Sequence, residues 1–355
     1  MSKLVMRYLP VFLLAVLSPF AAEILLGATP VSRVASLLPL TFLYGGGCVA
    51  IRELARRISP GWDRIVYLAA AYALVEEGMV MQTMFSPDLF NAAACGGRAF
   101  GVNWVWMEAL AGYHIVWSIV IPIALVEICF PERRTQPWLG RAGITMALLC
   151  YLLGAAAIAI TFRRFLTPHF RASAPLLLAT GIVVANLVTW ALRKPRRPVP
   201  EAAHEAVRAA SRESAGAAVS PILAGVLALA AAGLWIQLFA LPQPLRSGPL
   251  VLLPMLLAAG LAWVSVRCLQ RWSSPGRNWS DLHRLALVAG ALLASLIYGG
   301  VSVIRTGAPF DRGAQAFCGS ATLVWLGIMA HRVRSTAAPA SPAQPSQTIY
   351  HGTPR

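Results

Sequence analysis

Acidic residues are scarce in this chain: fourteen Asp and Glu stand against thirty Lys and Arg in 355 residues. Charged residues of both signs make up only 12% while 57% are apolar, which excludes an ordinary soluble domain. The six cysteines (Cys48, Cys95, Cys129, Cys150, Cys268, Cys318) show no CxxC and no Cys/His spacing, so no disulfide framework is expected. All but Cys95 lie in or at the ends of apolar runs and read as small buried hydrophobes. GxSxG, HExxH, the phosphate-loop pattern and GxGxxG after a strand are all missing. No cofactor, no metal ion and no ATP-driven chemistry are therefore expected.

Long apolar runs are what the chain has instead. Crossing the hydrocarbon takes about 20 apolar residues in a helix. Ten runs qualify: 8–27, 34–51, 65–84, 102–130, 142–162, 174–192, 220–240, 249–269, 283–304 and 313–330. The expected fold class is all-α, a polytopic integral membrane protein of about ten transmembrane helices. Lys3 and Arg7 ahead of Leu9–Leu17 resemble a signal peptide, but Pro19 and Phe20 occupy places where cleavage needs small residues. The first run is read as a retained helix. The N-terminus, the even-numbered loops and the C-terminal tail collect 22 of the 30 Lys and Arg. That bias predicts both termini in the cytoplasm, in a bacterial-type inner membrane. Basic loops at an anionic leaflet account for the net charge of +16, so the partner is the lipid bilayer and no nucleic acid is expected.

The chain divides at a basic, proline-bounded stretch. The reading is a six-helix half over 1–192, a cytoplasmic linker over 193–219, a four-helix half over 220–330, and a disordered cytoplasmic tail over 331–355. Tyr44-Gly-Gly-Gly and Tyr298-Gly-Gly resemble each other, yet glycines that admit close helix packing explain both better than a repeat. Residues 85–101, with Pro87, Gly96 and Gly97, read as the longest irregular external loop of the first half.

Every acid embedded in an apolar run lies in the first half. Glu23, Glu76, Glu77 and Glu108, with His114, sit where each charge costs roughly 2.5–3.5 kcal/mol on insertion scales. At about 1.5 Å per residue, Glu23, Glu76, Glu77 and His114 come to ~22, ~16, ~18 and ~21 Å from the cytoplasmic side, and Glu108 to ~30 Å. Three helices thus bring four groups to one slab, with Glu108 at its outer mouth. Adjacent Glu76 and Glu77 point about 100° apart on a helix, so they are not expected to face the same partner directly. One is expected to take a proton or activate water while the other holds a neighbour or a backbone group. Asn103, Tyr113, Ser118 and Gln82 are candidate polar partners of this pocket. Glu53 and Glu127, at basic helix ends, read as interfacial ion pairs with nearby Arg; His169, His204, His283, His331 and His351 read as solvated.

Glu76-Glu77 followed by His114 on the next span makes residues 65–120 resemble the membrane protease family that processes CAAX proteins and bacteriocins. The resemblance implies that Glu76 is the catalytic Glu, Glu77 its neighbour and His114 the His of the second motif, activating water for peptide hydrolysis. The sequence departs from that pattern in three ways. No Arg follows the pair, EEGMVMQ running on to Gln82; Leu110 stands where an aromatic precedes the His; and no later His-x-x-x-Asn falls inside a span. Three functions remain open: an intramembrane hydrolase acting on a membrane protein or peptide, a proton-coupled carrier of small solutes, and a non-catalytic assembly or anchoring factor.

Overall fold

A backbone in hydrocarbon must satisfy its own hydrogen bonds, so the apolar runs become helices. A computed structural model describes residues 3–89, 96–193, 219–240, 248–274 and 277–337. Helix α1 runs over Lys3–Pro19 and continues through a π-helical turn, Phe20–Ile24. α2 covers Leu37–Arg56. α3 is Asp63–Leu74, prolonged by a π turn at Val75–Val80. α4 (Trp104–Cys129), α5 (Arg141–Leu166) and α6 (Ala174–Leu192) complete the first half. α7 (Pro221–Phe239), α8 (Leu252–Trp272), α9 (Asp281–Thr306) and α10 (Pro309–Ala337) follow.

Among the described residues, nine helices are long and apolar enough to span a membrane. The chain is an all-α, multi-pass membrane protein. α3 fails that criterion for an informative reason: its eighteen residues carry Asp63, Arg64, Glu76 and Glu77. It is enclosed by α6 and by the middle of α4, so its polar pair does not meet lipid. α2 and α4 form the interior, with 61% and 56% of their spanning windows buried, against 11% to 17% for α5, α6, α7 and α8. Leu152, Leu153, Leu178 and Leu256 are exposed on those outer helices, as a lipid-facing surface requires.

The three glycines after Tyr44 let three helices close on α2 at once. A Cβ on Gly45 would stand 2.3 Å from the Ala15 carbonyl oxygen of α1, and one on Gly46 would stand 2.7 Å from the Tyr151 nitrogen of α5. Gly47 faces the Tyr72 ring of α3. The second half joins the same body: Gly299 of α9 packs on the Leu25 and Leu26 backbone, and Gln315 of α10 donates to the Leu25 carbonyl at 3.1 Å.

At the Arg-rich end of the bundle, Arg52 and Arg56 of α2 hold Glu127 of α4 at 2.8–3.2 Å, and Arg52 also holds Glu53 at 2.8 Å. Glu53 accepts from the Trp138 and Leu139 backbone as well, at 2.9–3.0 Å. The ion pairs expected at an interface are therefore buried, because the 131–139 segment folds over them. His283, expected to be solvated, is buried too; it completes a capping box with Ser280 and lies 2.9 Å from the Val219 carbonyl.

Within the expected irregular loop, Arg98–Ala99 and Val102–Asn103 pair as a small antiparallel hairpin. Phe100 (φ 54°) and Gly101 (φ 79°) form its two-residue turn, and positive φ at both positions matches the twist of a tight hairpin. Residues 90–95 of that loop lie outside the described residues, as do 194–218 of the linker and 338–355 of the tail. Residues 331–337, expected to begin the disordered tail, continue α10. Arg334 in its last turn suits the negative end of the helix dipole.

Candidate functional site

Four π-helical turns converge on one place. They hold Glu23 (Phe20–Ile24), Tyr44 (Thr41–Gly45), Glu76 and Glu77 (Val75–Val80) and His114 (His114–Val120). A π turn widens the helix by one residue and leaves backbone carbonyls in need of partners; such turns gather at functional sites. Two of them have a visible cause, one in the local sequence and one in the packing. Pro19 directly precedes the first, where its missing N–H breaks the regular ladder. In the π segment of α4, the Ser118 carbonyl accepts from Ser18 Oγ at 2.6 Å and the Ile119 carbonyl from Cys48 Sγ at 3.8 Å, so α1 and α2 supply donors.

His114 is the hub. Its Nε2 lies 2.9 Å from Glu77 Oε1, and its Nδ1 lies 3.0 Å from Ser118 Oγ and 3.3 Å from Glu76 Oε2. Both glutamates thus reach the same imidazole, contrary to the expectation that adjacent positions could not. The wider π turn brings the two side chains closer in direction, and the ring offers a nitrogen on each of two edges. Thr83 donates to Glu77 Oε2 from just beyond the helix end. Glu76 differs: it is 1% exposed, no arginine or backbone N–H closes its carboxylate, and His114 and the Tyr44 and Tyr72 hydroxyls face it without full hydrogen-bond geometry. The buried Tyr72 hydroxyl is the neighbour placed to donate to it. Rings of Tyr44, Tyr72 and Tyr113 surround the imidazole at centroid distances of 5.6–6.3 Å.

Ligand-type atoms of Glu76, Glu77 and His114 all lie within 4.8 Å of one another, and all three residues are buried. Glu23 stands one step away: Tyr44 donates to its Oε1 and Thr29 to its Oε2, each at 2.7 Å. Ser118 touches His114, whereas Tyr113 donates to the Ala22 carbonyl and Gln82 accepts from the Ala172 backbone at 2.9 Å. Asn103 caps α4 by accepting from the Trp106 backbone at 3.0 Å. Glu108 lies outside the trio, six residues and about 9 Å along α4 from His114. Tyr44, Tyr72 and Thr83 were missed by sequence reasoning. Tyr44 sat in a motif read only for its glycines, and Tyr72 lies one turn before Glu76 on the same face, which is the signal that could have found it.

A model of an uncharacterized membrane protein family matches residues 12–234. The chain belongs to that family. The matched region takes in α2 to α6, the second half of α1 and most of α7, and so includes Glu23, Tyr44, Glu76, Glu77 and His114. No curated protein and no solved structure matches the chain. The comparisons lend no support to the CAAX-type resemblance of residues 65–120.

Proposed function

We propose that this family member is an intramembrane hydrolase with Glu76 as its base. The observation that carries the reading is the Glu76 carboxylate: buried, closed by no arginine or backbone N–H, and 3.3 Å from His114. Structural carboxylates in this protein look different, since Glu53 and Glu127 are closed by Arg52, Arg56 and backbone N–H groups. Glu76 takes a proton from water, and the resulting hydroxide attacks a carbonyl carbon. His114, oriented by Glu77 and Ser118, donates to the oxyanion that forms. The C–N bond then breaks and the proton on Glu76 passes to the leaving nitrogen. An amide within a membrane-embedded peptide segment is the substrate class that suits a base enclosed by helices.

Wild-type protein and Glu76→Gln, each expressed in cells lacking the native chain, are compared by mass-spectrometric profiling of membrane-protein N-termini. Termini that depend on the wild type are expected to fall by about 10²-fold or more in the variant, the usual contribution of a general base. Identical profiles overturn the hydrolase. The complete burial of the trio and the Glu23–Tyr44 link favour a second reading, a proton-coupled carrier with the same carboxylates as relay. It is distinguished by proton uptake into proteoliposomes that Glu76→Gln removes.

Both termini are assigned to the cytoplasmic side of the inner membrane from the asymmetry of Lys and Arg. A reporter fused after Arg355 is expected to be active in the cytoplasm, and one inserted beside Asp88 outside. The reverse pattern at both positions inverts the site's orientation.

A further inference from the structure

We propose that Glu76, Glu77 and His114 form a binding site for one divalent first-row transition cation of the zinc class. The inference rests on the hydrolase reading for its role but on separate observations for its existence.

Donor chemistry comes first. Two carboxylates and an imidazole are a mixed O/O/N set, which suits Zn²⁺, Mn²⁺ or Fe²⁺ better than Ca²⁺ or Mg²⁺. Three protein ligands leave a coordination position for water or substrate, the arrangement of catalytic rather than structural sites.

Spacing agrees. Ligand atoms about 2.0–2.2 Å from one ion stand roughly 3.0–3.5 Å apart along the edge of its coordination polyhedron. His114 Nε2 and Glu77 Oε1 are 2.9 Å apart, and one donor atom from each of the three residues lies within 4.8 Å of the others, a spread that must contract slightly around a bound ion.

The surroundings of the ligands point the same way. A metal-bound imidazole holds its second N–H on a fixed acceptor, and ligating carboxylates are themselves hydrogen-bonded. Ser118 Oγ is placed for the first role at 3.0 Å from Nδ1, which leaves Nε2 as the donor atom. Thr83 fills the second role on Glu77 Oε2, leaving Oε1 turned to the site.

The independent observation is Glu76. Its two oxygens are enclosed at 1% exposure with no donor in full hydrogen-bond geometry, Oε2 lying 3.3 Å from His114 Nδ1 and the Tyr44 and Tyr72 hydroxyls nearby. A buried carboxylate left in that state is costly, and a cation is the partner that meets its demand. Charge closes the argument. Two ionised glutamates and a neutral histidine balance a +2 ion, giving an electrically neutral site in hydrocarbon. In the hydrolase reading the cation, held by Glu77, His114 and one Glu76 oxygen, would supply polarisation of the attacked carbonyl, and the second Glu76 oxygen would remain the base.

The test uses the full chain purified in detergent, stripped with chelator and re-equilibrated with Zn²⁺ or Mn²⁺ alone. Bound metal is counted by plasma mass spectrometry, and its ligands are read by X-ray absorption. The expected result is one ion per chain with a single imidazole and O/N scatterers near ~2.0–2.1 Å. Ser118→Ala, which removes an orienting contact and no ligand, is expected to weaken affinity about 10–100-fold. Glu76→Gln and His114→Ala are expected to abolish stoichiometric binding. Absence of stoichiometric metal in the wild type, or equal loading of folded His114→Ala, overturns the site. Should the two ligand variants fail to fold, the absorption spectrum of the wild type and the Ser118→Ala affinity still decide. Cleavage that survives chelation, yet is lost in Glu76→Gln, rejects the metal and keeps the hydrolase. Stoichiometric metal without cleavage keeps the site and rejects the hydrolase.

Discussion

Replacing Arg52 with Ala is expected to cost about 3–5 kcal/mol, the range for breaking a buried ion pair from one side. Arg52 is fully buried, and its guanidinium meets five acceptors. Nε donates to Glu127, one terminal nitrogen to Glu53 and the Gln136 carbonyl, and the other to the Arg133 and Arg134 carbonyls. The Trp138 ring covers it at 3.4 Å. Alanine removes the Arg52 donor from the Gln136 and Arg134 carbonyls and from much of two carboxylates, while the Arg133 carbonyl keeps the Trp138 indole N–H at 3.0 Å. Arg56 still holds Glu127 and the backbone still holds Glu53, which limits the loss to that range. Lysine cannot reproduce the planar fork, so Arg52→Lys should fall between wild type and Ala. Melting in detergent reads the effect. A midpoint for Arg52→Ala close to that of the wild type would show that the network is not what ties α2, α4 and the 131–139 segment together.

The second large effect has the opposite sign. Glu76→Gln, measured in chelator, is expected to melt at or above the wild type, with a gain of up to about 1–3 kcal/mol. That is the usual penalty of a buried polar group without a hydrogen bond, and a charge raises it. The 3.3 Å approach to His114 Nδ1 works against the gain, but that nitrogen also has Ser118. Stability gained where activity is lost is the signature of a strained functional group. His114→Ala behaves differently: it brings two glutamates together with nothing between them, and its loss should be relieved by adding Glu77→Gln. A drop of about 3 kcal/mol or more for Glu76→Gln alone would make Glu76 an ordinary structural ion-pair partner.

Much of this architecture was legible in the sequence. Hydrocarbon allows only a narrow set of backbone solutions, so apolar runs of about 20 residues map onto helices almost directly. The acids at 23, 76 and 77 stood out because each contradicts its apolar surroundings. The hairpin at 98–103 was missed because Phe100-Gly101 lacks the usual Asn-Gly signal, and positive φ at a phenylalanine is visible only in three dimensions. The start of the tail was misplaced because residues 331–337 are polar yet continue α10 past the apolar run.

Sequence alone determined the class of the protein and the order of its helices, since these follow from composition and the length of the apolar runs. Tertiary structure decided which acids are neutralised and which are not. Glu53 and Glu127 found arginines under the 131–139 segment, whereas Glu76 faces only His114 and tyrosine hydroxyls. It also decided that two neighbouring glutamates grip one imidazole. That outcome depends on π turns in α3 and α4, and on Ser18 and Cys48 of other helices bonding carbonyls within the π segment of α4. Side-chain periodicity along one helix carries no record of those donors, because they come from residues 71 and 100 positions away.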